Sequence, residues 1–457
     1  MKDYRALFVG KKITLMGLGL LGRGVGDAQF LAECGADLIV TDLKTRTQLS
    51  SSIRKLSHFK NIKFILGEHR LEDFTNRDMI IKAAGVPLDS PFIVEARKND
   101  IPIEMSTALF AELTEATIIG ITGTRGKSTV TSLIYELLKQ AGKKVYLGGN
   151  VKGMATLPLL EKVKKGDYVV IELDSWQLQG FGERKISPHI AVFSTFLSDH
   201  LNYYKGDVGK YFEDKANIFK YQKKGDTLVL GEQVAPAIKK KHRILKGRFI
   251  IASKKNVPKN WDIKIPGLHN RENIAIALEV ARILKIPLSV VKKTVESFNG
   301  VPGRLELVRT YKGIKIYNDT TATTPDATIV ALKALSEKKN IVLILGGADK
   351  DLPMEKLFKE IPKYVKTLVV LSGTGTERVK NDINALSKKT VKIINVSTLK
   401  EAVEKGIKST QKGDILLLSP AFASFGPPPG GFKNEFDRGE QFNAIVKKSE
   451  KKNSQVS

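Results

Sequence analysis

The sequence predicts an α/β protein of three domains: an N-terminal Rossmann-like domain, a central P-loop mononucleotide-binding α/β domain and a C-terminal Rossmann-like domain. Three observations predict it. Short β-branched runs alternate with helical patterns along the chain, which is the rhythm of parallel α/β units. Glycine bends follow such runs at three separated places, around Gly17, Gly123 and Gly346. A chain of 457 residues is also too long for one ordinary core, so about two to four domains are expected.

The expected strands are Ile13 to Met16, Leu38 to Thr41, Met79 to Ile81, Thr117 to Ile121, Tyr168 to Glu172, Ile190 to Ser194, Ile341 to Leu345, Leu368 to Leu371 and Ile415 to Leu418. Domain boundaries are placed near residues 106 and 300, giving spans of 1–106, 107–300 and 301–457. The second boundary is marked by Asn299, Gly300, Pro302 and Gly303, a turn-rich connection after a helix ending near Phe298.

The strongest chemical signal is G-I-T-G-T-R-G-K-S-T from Gly120 to Thr129, where a strand gives way to a helix. Main-chain N–H groups of Gly123, Thr124 and Gly126 and of the helix start would cradle phosphates. Lys127 would reach the outer phosphates of ATP, with Ser128 or Thr129 on Mg²⁺. The loop is not a strict Walker sequence, because Ile121 stands where its first glycine belongs. A second signal is Gly17, Gly19 and Gly22 after a strand, with Asp42 ending the next one. Read alone this is a dinucleotide fingerprint that says NAD. The same bend holds any diphosphate, so a nucleotide sugar fits it equally, and a ligand-free turn is the bland alternative.

Polar groups also fall at or beyond strand ends. Glu172, Asp199 and His200 would complete a Mg²⁺ shell beside the phosphate loop. The last third scatters Gly267, His269, Asn270, Asn273, Arg304, Asp319, Lys350, Ser419 and Ser424 over loops, where each is equally a cap, a turn or a surface charge.

Composition removes several classes of function. The net charge of +27, from 75 basic and 48 acidic residues, is spread out, and no stripe alternates basic with aromatic residues. Solvated lysine faces are therefore expected rather than a nucleic-acid groove. Cys34 is the single cysteine, so an intrachain disulfide or thiolate metal cluster is ruled out, and a small buried side chain is expected there. The absence of a secretory core or a membrane-length apolar run points to a cytoplasmic protein without membrane insertion.

Taken in order, these motifs resemble the Mur ligases of peptidoglycan synthesis over nearly the whole chain. The match rests on G-L-G-L-L-G from Gly17, the Gly120–Thr129 loop, G-G-N at Gly148 to Asn150, E-L-D-S-W-Q-L, S-D-H-L, Y-F-E-D-K-A-N-I-F, G-L-H-N-R-E-N, P-G-R-L-E, N-D-T-T-A-T and L-S-P-A-F-A-S-F. The resemblance implies an ATP-dependent ligase acting through an acyl phosphate, with UDP-N-acetylmuramoyl-L-alanine and D-glutamate as partners and a monomeric state.

It further implies that Gly17, Gly19, Leu20, Leu21 and Gly22 hold the UDP diphosphate, with Asp42, Leu43 and Lys44 near the uracil and Gly85 and Asn150 also contacting that substrate. Asn270, Asn273, Arg304 and Asp319 would join the loop around ATP, the last domain closing on it. Lys127, His200, Lys215 and Arg304 would be catalytic. Ser128, Glu172, His200 and Lys215 would surround Mg²⁺, with Lys215 carried as a carbamate; the residues alone would make Lys215 a surface helix lysine. Lys350, Ser424 and Phe436 would hold the amino acid.

Departures fall near that last pocket. Thr321 stands where the family has a phosphate-side lysine, Gly426 to Gly431 interrupt the final motif, and Glu435 precedes Phe436. Asp174, often serine in relatives, adds negative charge beside the metal site. The alternatives are a sister ligase for another amino acid or precursor, a nicotinamide oxidoreductase, and an ATP-regulated nucleic-acid binder.

Overall fold

The computed structural model describes residues 3–20, 22–151, 153–197, 199, 203–241, 247–424 and 432–448. Two compact units account for the chain: Met1–Trp261 with Arg271–Val295, and Asp262–Asn270 with Glu296–Ser457. Three sheets are divided between them.

The first unit holds two parallel sheets. One is built from β1 (Lys12–Met16), β2 (Asp37–Asp42), β3 (Ile62–Leu66), β4 (Met79–Lys82) and β5 (Ile103–Glu104) in the order β3-β2-β1-β4-β5. The other uses β6 (Thr117–Thr122), β7 (Val145–Gly149), β8 (Tyr168–Glu172), β9 (Ile190–Phe193), β10 (Thr227–Gly231) and β11 (Arg248–Ala252) in the order β11-β10-β9-β6-β8-β7. Central strands such as β6 and β9 are nearly continuous apolar runs, as burial on both faces requires. One core runs through both sheets: Leu15 and Val40 of the first belong to the same apolar cluster as Ile171 and Phe193 of the second. The helix Ser106–Leu113 feeds Ala108, Leu109 and Phe110 into that cluster. Close approach is enforced at Gly26, where a Cβ would come within 2.5 Å of the Ala155 Cβ.

The second unit carries β12 (Glu306–Tyr311), β13 (Ile314–Asn318), β14 (Ile341–Leu345), β15 (Val365–Leu371), β16 (Lys392–Val396) and β17 (Ile415–Leu418) in the order β12-β13-β17-β14-β15-β16. Only the β12–β13 edge pair is antiparallel. Separate apolar clusters cover its two faces.

Strand order makes each expected glycine bend a place where the chain changes direction across its sheet. The bends follow β1, β6 and β14, and these strands lie beside β4, β9 and β17 respectively. Neighbouring connections there leave in opposite directions and open a crevice at the carboxyl ends of the strands, the usual ligand position in open α/β sheets. Cys34 is buried, and burial pushes its thiol up to about 11. No helix among the described residues is long and apolar enough to cross a membrane.

Candidate active site

The bend after β1 is held by Asp42. Its Oδ2 accepts the Gly19 N–H at 2.8 Å and its Oδ1 accepts the Lys44 N–H at 2.9 Å. Both carboxylate oxygens are therefore engaged by main chain, and the acid fixes the bend. In a nicotinamide site the corresponding acid binds ribose hydroxyls, so this geometry favours the nucleotide-sugar reading of the fingerprint. Gly17, at φ 101°, leaves no room for a side chain, since a Cβ would sit 2.7 Å from the Ala83 Cβ after β4. Leu20 and Leu43 are exposed beside this bend; Leu21 lies outside the described residues.

The bend after β6 is braced from below by residues 194–197. The Thr124 N–H donates to Thr195 O at 2.8 Å and the Arg125 N–H to Thr195 Oγ1 at 2.9 Å, while Ser194 Oγ donates to Arg125 O at 2.7 Å. Thr124 Oγ1 lies between the Leu197 main chain and the Tyr211 hydroxyl. Thr124 thus shapes the loop through committed groups. The donors available to an anion are those of the helix Lys127–Gln140, whose first-turn N–H groups have no intrahelical acceptor. Gly126 caps this helix at φ 85° with no side-chain cap, and a Cβ there would overlap Asn273 Oδ1. Gly123, at φ 146°, would likewise overlap Ser194 Oγ. This cradle excludes side chains at the two glycines that flank it. Lys127 Nζ donates to Gly123 O at 2.9 Å and to Thr124 O at 3.3 Å, so it stays folded over the loop.

Lys215 is not a surface lysine. Its side chain is 1% exposed, with Nζ donating to Gly123 O at 3.0 Å and lying 5.0 Å from the Tyr211 ring centre. Burial first, and then the Lys127 charge, pull its ammonium well below the ordinary lysine range, against the attraction of Asp174, Asp199 and Glu172. Glu172 ends β8 buried, and its carbonyl accepts the Asn150 N–H at 2.8 Å. Asp174 caps the helix Ser175–Glu183 in a reciprocal box with Gln177; its charge has a local structural use. No cluster of three acidic, histidine or cysteine side chains able to hold a metal occurs among the described residues. His200 lies outside them. The donors described fit Mg²⁺ only if phosphate oxygens and water complete the shell.

A cavity of about 370 Å³ joins the two nucleotide signals of the first unit. Gly17, Gly19, Leu20 and Gly85 line it, as do Asn150 and Lys127. Three further lining residues escaped the sequence reading. Arg23 donates to Asn150 Oδ1 at 2.8 Å. Asp27 is buried, its Oδ1 has no hydrogen-bond partner among the described residues, and burial pushes its carboxyl up to about 6 against hydrogen bonds from Ser106 and the Leu157 main chain. Lys82 ends β4 and is almost fully buried. A lysine closing the otherwise apolar M-I-I-K strand was the available signal for it.

In the second unit, Asp319 follows β13 and is buried, with Oδ2 accepting Ser419 Oγ at 2.9 Å and Oδ1 accepting the Leu305 N–H at 3.1 Å. Burial pushes its carboxyl up to about 7, against these bonds and the Arg304 charge. Arg304 itself is exposed. Asn270 Nδ2 donates to Pro266 O at 2.7 Å. Thr321 Oγ1 donates to Gly303 O, and Lys350 Nζ reaches Thr323 Oγ1 at 3.0 Å, placing a cation close to the loop that lacks the expected lysine. Ser424 Oγ is buried with no hydrogen-bond partner among the described residues. Phe436 is half-buried in the helix Glu435–Lys448; Gly426 to Gly431 lie outside the described residues. A group no motif had flagged, Arg438, is fully buried: it donates to Thr320 Oγ1 and O and to the carbonyls of Phe422 and Ala423.

Three family models match the chain in sequence order: the MurD-like N-terminal domain of Mur ligases at residues 11–104, the Mur ligase middle domain at 121–261 and the Mur ligase glutamate ligase domain at 303–422. Among curated relatives, the UDP-N-acetylmuramoylalanine--D-glutamate ligase of Roseiflexus sp. (strain RS-1) is 34% identical, covering 96% of this chain and 98% of its own. The like-named protein of Acetivibrio thermocellus is 33% identical, with 98% of each covered. The UDP-N-acetylmuramate-alanine ligase MurC of Thermotoga maritima shares the fold at a TM-score of 0.61 and 21% identity, covering 96% of this chain and all of the other. MurF ligase of the same organism, solved with ADP, gives 0.58 and 18%, covering 98% and 100%. With all three domain models matched in order and relatives aligned nearly end to end, the chain belongs to the Mur ligase family.

Proposed function

We propose that this protein is the ATP-dependent ligase that joins D-glutamate to UDP-N-acetylmuramoyl-L-alanine in peptidoglycan synthesis, the activity named for its relatives. One observation carries the reading: Lys127 of the phosphate loop lines the same cavity as the Gly17–Gly19 bend and Asn150. A site for a transferable phosphoryl group and a site for a nucleotide-linked acceptor thus share one space.

The chemistry needs that arrangement because a carboxylate is a poor acyl donor. Transfer of the γ-phosphoryl group to the alanyl carboxylate gives an acyl phosphate, which the amine of the amino acid then attacks with release of phosphate. Lys127 and the helix N-terminus offset charge on the transferring group, so the protein contributes mainly alignment and electrostatics. Mg²⁺ would supply further charge offset, held by Ser128, Glu172 and Lys215. As an ammonium Lys215 offers no ligand atom; as a carbamate it does. Formation of the carbamate begins from the neutral amine, which the burial of Lys215 favours.

Gly123, Gly126 and Thr129 with Asn273 are assigned to ATP, and Gly22, Asp42, Leu43, Lys44 and Gly85 to the UDP-linked substrate. Lys350, Ser424 and Phe436 are assigned to the amino acid by resemblance, as Asn270, Arg304 and Asp319 are to the nucleotide. A cytoplasmic, monomeric enzyme with domains near 1–106, 107–300 and 301–457 belongs to the same proposal.

Phosphate release from ATP, measured with UDP-N-acetylmuramoyl-L-alanine and a panel of D- and L-amino acids, tests the reading when product mass is followed. D-Glutamate should stimulate release and add its mass to the acceptor. Thr321, in place of a cation, specifically favours one second reading, a sister ligase, and stimulation by a different amino acid alone would establish it.

A further inference from the structure

The cavity of the first unit contains a charge that the reading above leaves unused. Lys82 is the last residue of β4, paired in register with Met16, the residue before the Gly17 bend. Its side chain is 2% exposed and lines the cavity. Among the described residues Nζ makes one hydrogen bond, to Val86 O at 3.0 Å. An ammonium has three donors, and among the described residues no carboxylate lies within ion-pair distance of this one. Asp174, Asp214 and Glu183 attract it from farther off, while Arg97 repels it.

A buried, unpaired ammonium is destabilising unless something neutralises it. The strand could end in an apolar side chain at no loss to the sheet, since the bonds of β4 are main chain. The neighbouring cation, Arg23, is turned to Asn150, which leaves Lys82 as the cavity's buried cation next to the glycine bend. Burial also holds its ammonium down at about 8.

We infer that Lys82 is a substrate-binding residue, donating charge-assisted hydrogen bonds to an oxyanion of the UDP-linked acceptor. This rests on the ligase reading. The oxyanion belongs either to the diphosphate or to the carboxylate of the muramoyl peptide, and the two can be told apart.

Lys82→Met preserves much of the side-chain volume and removes the charge. Its KM for UDP-N-acetylmuramoyl-L-alanine should rise about 10- to 100-fold, the range of lost charge-assisted bonds, while KM for ATP and for the amino acid stays within about twofold. Thermal stability should hold or increase, because a buried charge is gone; a lysine serving only the fold would give lower stability with unchanged KM. Inhibition by UDP-N-acetylglucosamine, which has a diphosphate and no carboxylate, locates the contact. Weakened inhibition assigns Lys82 to the diphosphate; unchanged inhibition with raised KM assigns it to the carboxylate. Should Lys82→Met fail to fold, Lys82→Gln, which keeps a donor without charge, gives the same comparison. A wild-type KM in the folded variant overturns the inference alone, whereas a wild-type protein that does not turn over the substrate pair overturns the ligase reading instead.

Discussion

The carboxylate of Asp42 ties down Gly19 through a 2.8 Å bond to its main-chain N–H, so the end of one strand sets the shape of the bend that follows its neighbour. On the proposed reading, in which this bend takes the diphosphate, the acid shapes the site without having to touch the ligand. Replacing Asp42 with Asn puts an amide donor against main-chain donors and removes two charge-assisted bonds, each contributing about 1.5–3 kcal/mol. Asp42→Asn should therefore raise KM for the UDP-linked substrate at least about tenfold with a smaller change in kcat, and NAD should produce no thermal shift in either protein. An NAD-induced shift in the wild type would contradict this account of the bend.

Lys127 donates to two carbonyls of its own loop, Gly123 O and Thr124 O. Lys127→Ala should leave the melting temperature within a few degrees, since single bonds within a loop contribute about 1 kcal/mol each, yet lower turnover by at least about a hundredfold. Calorimetry beside phosphate release checks both halves; near-normal turnover would mean that the phosphoryl group is held elsewhere.

Arg438 fastens the Thr320 loop to the Phe422–Ala423 segment from inside the second unit. Arg438→Met leaves three carbonyls without their donor, at about 1–3 kcal/mol for each left unsatisfied. The second unit should lose about 3 kcal/mol or more, read as an earlier denaturant transition in that unit. The conservative Arg438→Lys should recover part of the loss, because it restores fewer donors.

Asp319 makes stability depend on pH in the direction opposite to a salt-bridged carboxylate. Its folded value, pushed up to about 7, lies above the ordinary 3.8 of the unfolded chain. Between those values the folded state binds the extra proton, so stability falls as pH rises from about 4 towards 7 and the loss is complete above it. One proton limits the slope to about 1.4 kcal/mol per pH unit. Asp319→Asn should flatten this limb in denaturation curves taken from pH 4 to pH 8; an unchanged slope would assign the titration to another group.

Much of this architecture is legible in the residues. Tyr168 to Glu172, Ile341 to Leu345 and Ile415 to Leu418 appear as strands with the bounds expected, because strands buried on both faces read as unbroken apolar runs. The edge strands Arg248–Ala252, Glu306–Tyr311 and Lys392–Val396 were missed: each is partly exposed and opens on a charged residue, so none reads as a buried apolar run. At the site, glycine spacing announces both bends, since positive φ and tight contacts leave little choice of residue. Lys82, Asp27 and Arg438 were hidden for the converse reason. A lone charge in a sequence carries no mark of burial, and only the packing of distant segments shows that it faces a cavity or a set of carbonyls.

The apolar seam that runs through both sheets of the first unit bears on how this enzyme can be re-engineered. Ala108, Leu109 and Phe110 belong to the same cluster as residues of both sheets, so a chimaera that grafts a foreign UDP-recognition module onto this ATP-using one must import or redesign the Ser106–Leu113 helix with it. A swap made at the strand ends alone would leave an oily surface facing water, and aggregation would be its first symptom.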